Sequence, residues 1–470
     1  MENKHEKTST ALTKEQLWKN GLISFLNDSN MKNYFKILNC ERLVAWFIFL
    51  LFIKFILDRL RFSCSIILGR STIDYNTFDI SDWLINYESG FIRRGIMGQI
   101  LWNIEQLHLY DIRIAITIIC VVTSFIILFL TYRIFKEEGW SILTIPTGFI
   151  FGFTLFGLGG RRDMLSLLLT YAIFWSFKNI FSSKGKKSLW WFIFYSISIL
   201  QILIHEASFF YTFPIIMLFL FLKHEDTQQS LRQSCTTSLL QFMPIIIAMA
   251  IVCIFKGNQE TANIIWNSWN KIFTTFPAND NTTSIGAGVD ALSWGAQETF
   301  INHLKAGYIG TNSPSIMRIP IVLFNLLAAY LLVSRINNID MGIYKNKQMD
   351  HVVMSNILLV QFIAMIPMFT FLSCDWGRTI PYWLLSSLFF YHIFKDEKIE
   401  FTYHLTTVSQ IIQNHISHNS ILRNKYTYLL LVLLSPVPGA CAPFDSANTF
   451  QQGFIATLQS ILNTINTYLH

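Results

Sequence analysis

The chain has 470 residues, of which 52% are hydrophobic and only 14% charged, and its mean hydropathy is +0.41. Soluble domains carry about 25% charged residues, so this composition argues against a soluble multidomain enzyme and excludes disordered, collagen-like and coiled-coil chains. The net charge of +7 comes without any basic run interleaved with aromatics. It therefore reads as Lys/Arg-rich cytoplasmic loops of a polytopic helical membrane protein, with no nucleic-acid partner.

Residues 1–42 are polar and lysine-bearing and read as a cytoplasmic N-terminal segment, with no cleavable signal sequence. The transmembrane domain is expected over 43–445. Apolar tracts fall at 43–69, 113–135, 140–159, 163–181, 189–205, 207–222, 236–255, 319–333, 351–374, 379–394 and 426–434. That makes an all-α bundle of about eleven spans. Lys54, Asp58 and Arg61 share one stripe of the first span, and Lys54–Asp58 reads as an i,i+4 pair facing the bundle. Two long stretches lie between spans, 70–112 and 256–318. The last 446–470 read as an extracytoplasmic amphipathic segment.

Within the first long loop, Ile92, Ile96, Ile100 and Ile104 recur at helical spacing from Phe91 onward. They predict an amphipathic helix lying in the outer interface. The tract 189–222 is interrupted by His205-Glu206. Burying both in lipid is costly, so two helices breaking there are predicted in place of one long helix. With the N-terminus inside, the lysine-bearing connections then fall in the cytoplasm, as the positive-inside rule requires.

That topology puts the chemistry-bearing groups on the outer face: Asp74, Asp79, Asp82, Glu88, Arg93 and Arg94; Arg161, Arg162 and Asp163; His205 and Glu206; and Asp375 with Arg378. Such groups at adjacent helix ends imply a shared hydrated cavity. Paired arginines suit phosphate, whose oxygens the guanidinium fork binds bidentately. Nearby carboxylates suit a general base acting on a hydroxyl.

Each signal also has a plainer reading. Arg93-Arg94 would be an interfacial anchor and Asp163 a helix cap. His205-Glu206 would be a satisfied pair between two helices, and Asp375–Arg378 a turn closed by a salt bridge. Asn281-Thr282-Thr283 matches a glycosylation sequon, and Cys374 with Cys441 offers a disulfide on the outer side. The seven cysteines form no C-x-x-C pair and no metal-type spacing.

Asp82-Trp83-Leu84-Ile85-Asn86-Tyr87 runs into Gly90-Phe91-Ile92-Arg93-Arg94-Gly95-Ile96-Met97-Gly98. With Gly160-Arg161-Arg162-Asp163, His205-Glu206 and Asp375-Trp376-Gly377-Arg378, this resembles polytopic proteins of bacterial surface-polysaccharide gene clusters. The plan is similar to O-antigen and capsule repeat-unit polymerases and to GT-C glycosyltransferases. The resemblance implies a multi-pass protein of the bacterial inner membrane whose site faces the periplasm or cell exterior. It would act on polyprenyl-(di)phosphate-linked glycan donors and a glycan acceptor, with a chain-length regulator as a further partner.

Under that reading Asp82 is the base, with Glu206 or Glu88 as rivals. His205 and Asp375 orient neighbours, and Arg93, Arg94, Arg161, Arg162 and Arg378 hold phosphate. Asp79, Asp163, Trp266, Trp269 and Trp294 serve substrate binding, the tryptophans by stacking on sugars. Asp79 and Asp82 stand three apart and make no Asp-x-Asp pair. A metal-independent polymerase without cofactors therefore fits better than a metal-dependent enzyme. A GT-C enzyme using a polyprenyl-monophosphate sugar and a flippase of lipid-linked sugars are the alternatives.

Overall fold

The computed structural model describes residues 40–106, 111–141, 144, 147–150, 160–182, 186–225, 230–269, 272, 285–295, 300–301, 303–305, 318–338, 350–370, 372–373, 376–397 and 403–436. Several expectations lie outside the described residues: Cys374, Asp375, Cys441, the sequon at Asn281, most of the 140–159 tract and the 446–470 segment. The chain divides into two units, 1–47 and 48–470. Of the first, only 40–47 are described, as helix.

The described residues are helical and contain no strand. In chain order the helices are α1 (Cys40–Ile67), α2 (Phe78–Ser81), α3 (Gly95–Glu105), α4 (Ile112–Glu138), α5 (Asp163–Ser182), α6 (Lys187–Ile204), α7 (Ser208–Glu225), α8 (Leu231–Ile254), α9 (Gln259–Ser268) and α10 (Ala287–Asp290). They continue with α11 (Arg318–Arg335), α12 (His351–Ala364), α13 (Ile366–Thr370), α14 (Trp376–Phe394), α15 (Tyr403–His418), α16 (Ser420–Arg423) and α17 (Lys425–Leu434). Their ends follow local chemistry. Asp111 caps α4 by accepting from the Arg113 amide at 2.8 Å, and Gly139 ends that helix in the left-handed region at φ 68°. Asn258 caps α9 through the Thr261 amide at 2.8 Å.

Among the described residues four helices, α4, α5, α6 and α8, are long and apolar enough to cross a membrane; α7, α11, α12 and α17 are shorter apolar helices. Large apolar side chains stand outward on them, such as Phe129 on α4, Leu240 and Ile254 on α8 and Leu323 on α11. In water such faces would drive association; in hydrocarbon they are matched to their solvent. Helix α1 differs from the expectation for its stripe. Lys54, Asp58 and Arg61 are exposed, so they do not face the bundle.

The break in the 189–222 tract is where the sequence places it. His205 is extended (φ −157°, ψ 98°), ending α6, and α7 begins at Ser208. The two ends of α7 and of α14 then carry different polar sets. Glu206 and Arg378 sit at their beginnings. At the far ends Lys223 pairs with Glu397 at 2.8 Å, and Glu138 is met by His392 and Lys395, each at 2.6 Å. Between these ends the helices are joined by uncharged polar contacts. Gln201 donates to the Ser166 carbonyl at 2.9 Å and to Thr170 Oγ1 at 2.8 Å, and Gln361 donates to the Tyr211 carbonyl at 2.9 Å. Interhelical hydrogen bonds of this kind hold bundles together where no hydrophobic gradient exists between helices.

The two long loops fold against each other, although about 190 residues separate them (Leu84 and Trp269, for instance, stand 185 apart). Tyr75, Ile80, Trp83, Leu84, Ile85, Ile92, Leu101 and Trp102 from the first share a core with Ile265, Trp266, Trp269, Val289 and Leu292 from the second and with the start of α4. Trp269 Nε1 donates to the Leu84 carbonyl at 2.8 Å, and its ring meets Trp102 edge-on at 5.1 Å. Gly288 N–H donates to Ser81 Oγ at 2.8 Å. A Cβ on Gly288 would lie 2.4 Å from the Asp82 amide nitrogen, and one on Gly98 only 1.9 Å from the Ile85 carbonyl oxygen. These glycines allow backbone to touch backbone.

The helix of the first loop starts at Gly95, four residues later than the isoleucine period suggests. Its protein-facing side is Gly95, Gly98, Leu101, Trp102 and Glu105. Ile100 is exposed and Ile96 and Ile104 are half-buried, while Ile92 lies before the helix in the core. The isoleucine stripe is thus the outward face, and close packing falls to the glycines and tryptophan.

Candidate functional site

Four separated segments meet at the beginnings of α5, α7 and α14. The first is the 79–94 stretch, which α2 and a single 3-10 turn over Asp82–Leu84 lead into. The others are 160–163, 205–206 and 378.

Arg162 is fully buried. Its fork holds Asp82, with Nε 2.6 Å from Oδ2 and Nη2 on Oδ1, and its Nη1 donates to the Arg94 carbonyl at 3.1 Å. Arg94 then reaches across to Glu206, with Nε at 2.8 Å from Oε2 and Nη2 at 2.6 Å from Oε1, and touches Asp82 at 3.4 Å. Arg93 approaches Glu206 at 3.4 Å and the Ala291 carbonyl at 3.2 Å; its Nε is buried without a hydrogen-bond partner. Arg161 pairs with Asp79 at 2.6 Å and lies over the Phe78 ring. Asp163 collects the Tyr382 hydroxyl, Arg378 at 3.7 Å and His205 Nε2 at 3.5 Å.

Arg94 is the one non-glycine residue at positive φ (64°) among the described residues. That conformation crowds the Cβ of an L-residue. It persists because both ends of the residue are held, the carbonyl by Arg162 and the guanidinium by Glu206. Local strain of this kind gathers at functional positions. Trp83 fixes the adjoining turn by donating to the Gly160 carbonyl at 2.5 Å.

Electrostatics divides the titratable groups. Burial works against the Asp82 carboxylate, yet the guanidiniums of Arg162 and Arg94 overcome it and hold its pKa at about 2. Burial opposes Glu206 as well, and Arg94 and Arg93 nevertheless keep it well below the ordinary carboxylate range. Both are committed anions and poor proton acceptors. Asp79 goes the other way, raised by desolvation that Arg161 only partly offsets. His205 is lowered from 6.5 to about 4, first by burial and next by the Arg94 charge. It is neutral at physiological pH, and its Nδ1 is buried with no hydrogen-bond partner.

Counting Asp79, Asp82, Asp163 and Glu206 against Arg93, Arg94, Arg161, Arg162 and Arg378, the cluster carries one excess positive charge. Arg94 and Arg162 are spent on carboxylates. Arg93 is the member with an uncommitted buried N–H and 25% side-chain exposure. An anion with several oxygens suits that balance. Among the described residues no three His, Cys, Asp or Glu side chains form a metal-type group.

Of the residues singled out from the sequence, the structure brings together Asp79, Asp82, Arg93, Arg94, Arg161, Arg162, Asp163, His205, Glu206 and Arg378. Asp375 lies outside the described residues. Glu88 is exposed and makes none of the cluster's ion pairs. Trp266 and Trp269 require correction as sugar platforms. They are 3% and 0% exposed and sit in the core of the two loops, so neither ring offers a face. Trp294 alone of the three is open, at 44%, with Nε1 3.3 Å from Asp290 Oδ2. Of the pair His205-Glu206, whose plainer reading is a satisfied polar pair between two helices, Glu206 is engaged by Arg94 and Arg93, whereas His205 Nδ1 has no hydrogen-bond partner.

Sequence reasoning missed Tyr382, which touches Asp163 and stacks on Tyr211 with ring centres 4.4 Å apart. Its position one turn after Arg378 on α14 puts both on one helix face and would have signalled it. Comparison with known proteins adds no second line: the chain matches no protein-family model, no curated protein and no solved structure.

Proposed function

We propose that this protein is a membrane-embedded glycosyltransferase acting on polyprenyl-linked glycans at the extracytoplasmic face, and specifically a polymerase of O-antigen or capsular repeat units. The observation that carries the reading is the convergence of five arginines and four carboxylates at the beginnings of apolar helices, beneath a cap made from both long loops. A lipid diphosphate has its anionic head and its hydrocarbon tail at that same boundary. The outward isoleucines of α3 support an interfacial position for this helix beside the cluster.

In the proposed reaction the acceptor hydroxyl oxygen attacks the anomeric carbon of the donor glycan. The bond from that carbon to the diphosphate oxygen breaks, and polyprenyl diphosphate leaves with the electron pair. Arg93 and Arg378 stabilise the charge that develops there. The hydroxyl proton passes to His205 Nδ1. Asp163 steadies the other ring nitrogen and the imidazolium that results. The committed state of Asp82 gives it a supporting part, in holding Arg162 and Arg94, and moves the base role to His205. Arginines in place of a metal ion hold the diphosphate in this scheme.

The test replaces Arg93 with Ala and His205 with Ala in the producing cell. Loss of long surface glycan at unchanged protein level is expected, together with loss of polyprenyl diphosphate release from a lipid-linked repeat unit by the purified protein. Long glycan from both variants would refute the assignment. Single-sugar side branches as the missing product would point to a monophosphate-sugar transferase, and movement of lipid-linked sugar without bond formation to a flippase.

A further inference from the structure

Outside the ion-pair cluster, the described residues of the cap form a groove on the exposed side of α9. It has a volume of about 520 Å³ and is lined by Glu88, Glu260, Asn263, Ile264, Asn267 and Ser268. That volume lies within the usual range of small-molecule sites, roughly 300–1,000 Å³. Both long loops build it: Glu88 comes from the first, and the others from α9 of the second.

Its floor is fixed. The buried Asn86 side chain accepts from the Glu88 amide at 3.2 Å and donates to Ser268 Oγ at 2.9 Å, and Ser268 donates to the Ile265 carbonyl at 2.7 Å. Trp266 and Trp269, on the opposite face of α9 and just beyond it, anchor the helix in the shared core. The rim is Glu260, Asn263, Ile264 and Asn267, exposed at helical spacing.

The chemistry of this lining is selective. Two amides supply both donors and acceptors, two carboxylates supply acceptors alone, and Ile264 supplies one apolar contact. Polyhydroxylated rings present that mixture of hydroxyl donors, hydroxyl acceptors and C–H faces. The two carboxylates face the groove with no arginine or lysine in its lining, so an acidic sugar is repelled there. The ion-pair cluster a short way along the same loop has the opposite balance, and Glu88 precedes Arg93 by five residues. A turn closed by Gly90 N–H on the Tyr87 carbonyl at 2.9 Å lies between them.

We infer that the groove between Glu88 and α9 is a glycan subsite that takes uncharged hexose or N-acetylhexosamine units and rejects uronic acids. The inference rests on the transferase reading and deepens it. The anionic lipid head is held by the arginines, and the sugar chain of donor or acceptor runs over α9. Glu88 is thereby a specificity residue, and its sequence-based assignment as a base gives way to that role.

The experiment uses the full chain in lipid nanodiscs. The probes are uncharged di- and trisaccharides of glucose, galactose and N-acetylglucosamine, and a glucuronate-containing disaccharide, with saturation-transfer NMR and calorimetry as readouts. At least one uncharged probe binds, and the glucuronate disaccharide binds at least tenfold more weakly. Asn263→Ala with Asn267→Ala, both at exposed positions, weakens the uncharged probe tenfold or more. Glu88→Gln with Glu260→Gln brings the glucuronate disaccharide to parity. Absence of binding by every uncharged probe overturns the inference, as does binding to the double-alanine variant within twofold of wild type. Arg93→Ala and His205→Ala separate this inference from the transferase reading. Groove binding with long glycan still made by both Arg93→Ala and His205→Ala supports the subsite and removes the proposed transferase site; loss of long glycan with no effect of the Asn variants on binding does the reverse.

Discussion

Replacing Arg94 by Ala and by Gly separates two effects that the structure combines at one residue. Both substitutions delete the guanidinium that binds Glu206 at 2.6 and 2.8 Å and approaches Asp82 at 3.4 Å. Removing one partner of a buried pair costs about 3–5 kcal/mol. The side chains here retain 18% and 14% exposure, and Arg93 stays near Glu206, so solvent screening reduces the expected loss to roughly 2–3 kcal/mol. The variants differ at the backbone. At φ 64° an alanine bears the left-handed penalty of about 1–2 kcal/mol, which glycine does not.

Glycine has the freer unfolded chain, which returns about 0.4–1 kcal/mol to alanine. The N-cap position of α3 favours glycine over alanine. The balance leaves Arg94→Gly more stable than Arg94→Ala by about 1 kcal/mol, the reverse of the usual order within a helix. Denaturant titration of the purified protein in micelles, followed by tryptophan fluorescence, measures both. Equal stability of the two variants, or alanine the more stable, would refute the left-handed geometry. Both lying within about 0.5 kcal/mol of wild type would refute the buried-pair argument.

The remaining expectations concern titration, packing and topology. His205 has a folded pKa of about 4 against 6.5, so the unfolded chain binds the proton more readily. Its contribution is complete above pH 6.5 and is lost as pH falls toward 4, on the order of 3 kcal/mol in all. The difference between wild type and His205→Gln in melting temperature from pH 4.5 to 7.5 shows that slope, and parallel profiles would refute it. Gly98→Ala drives a methyl into the Ile85 carbonyl and costs at least about 3 kcal/mol; limited proteolysis of the cap reports the loss, and a wild-type digestion pattern would contradict the close approach. Trp269→Ala destabilises by about 3–5 kcal/mol, whereas Trp294→Ala stays within about 0.5 kcal/mol of wild type. Comparable unfolding midpoints for the two would remove the distinction between core and open tryptophan. Topology reporters fused at Lys223 and at Asn263 give opposite sides of the membrane, with Lys223 inside; signals from one side would break the orientation.

Much of the architecture is legible in residue order because the forces behind it are local or one-dimensional. Apolar length sets which helices can cross a membrane. The cost of burying His205 and Glu206 in hydrocarbon sets the break between α6 and α7. Scarcity of charge at helix ends made the four polar segments conspicuous, and ten of the residues picked from them meet in space. The isoleucine period located α3, yet it gave the wrong first residue and the wrong packing face. Glycines that permit contact carry no hydrophobic signal, and Arg94 departs from helical geometry for reasons that lie on Arg162 and Glu206.

What residue order by itself determined is the solvent of this protein, the kind of helices it forms and the identity of its charged cluster. Tertiary structure decided the pairing within that cluster, and with it the roles. Asp82 is bound by two guanidiniums, and His205 is left neutral with an unpaired nitrogen, because α5, α6 and the first loop converge there. It also decided that Trp266 and Trp269 are core and that the described residues of the two long loops, from Tyr75 to Trp102 and from Ala262 to Trp269 with Val289 and Leu292, share one hydrophobic interior. Contacts between segments about 190 residues apart depend on shape complementarity over the whole cap, and no local periodicity encodes that.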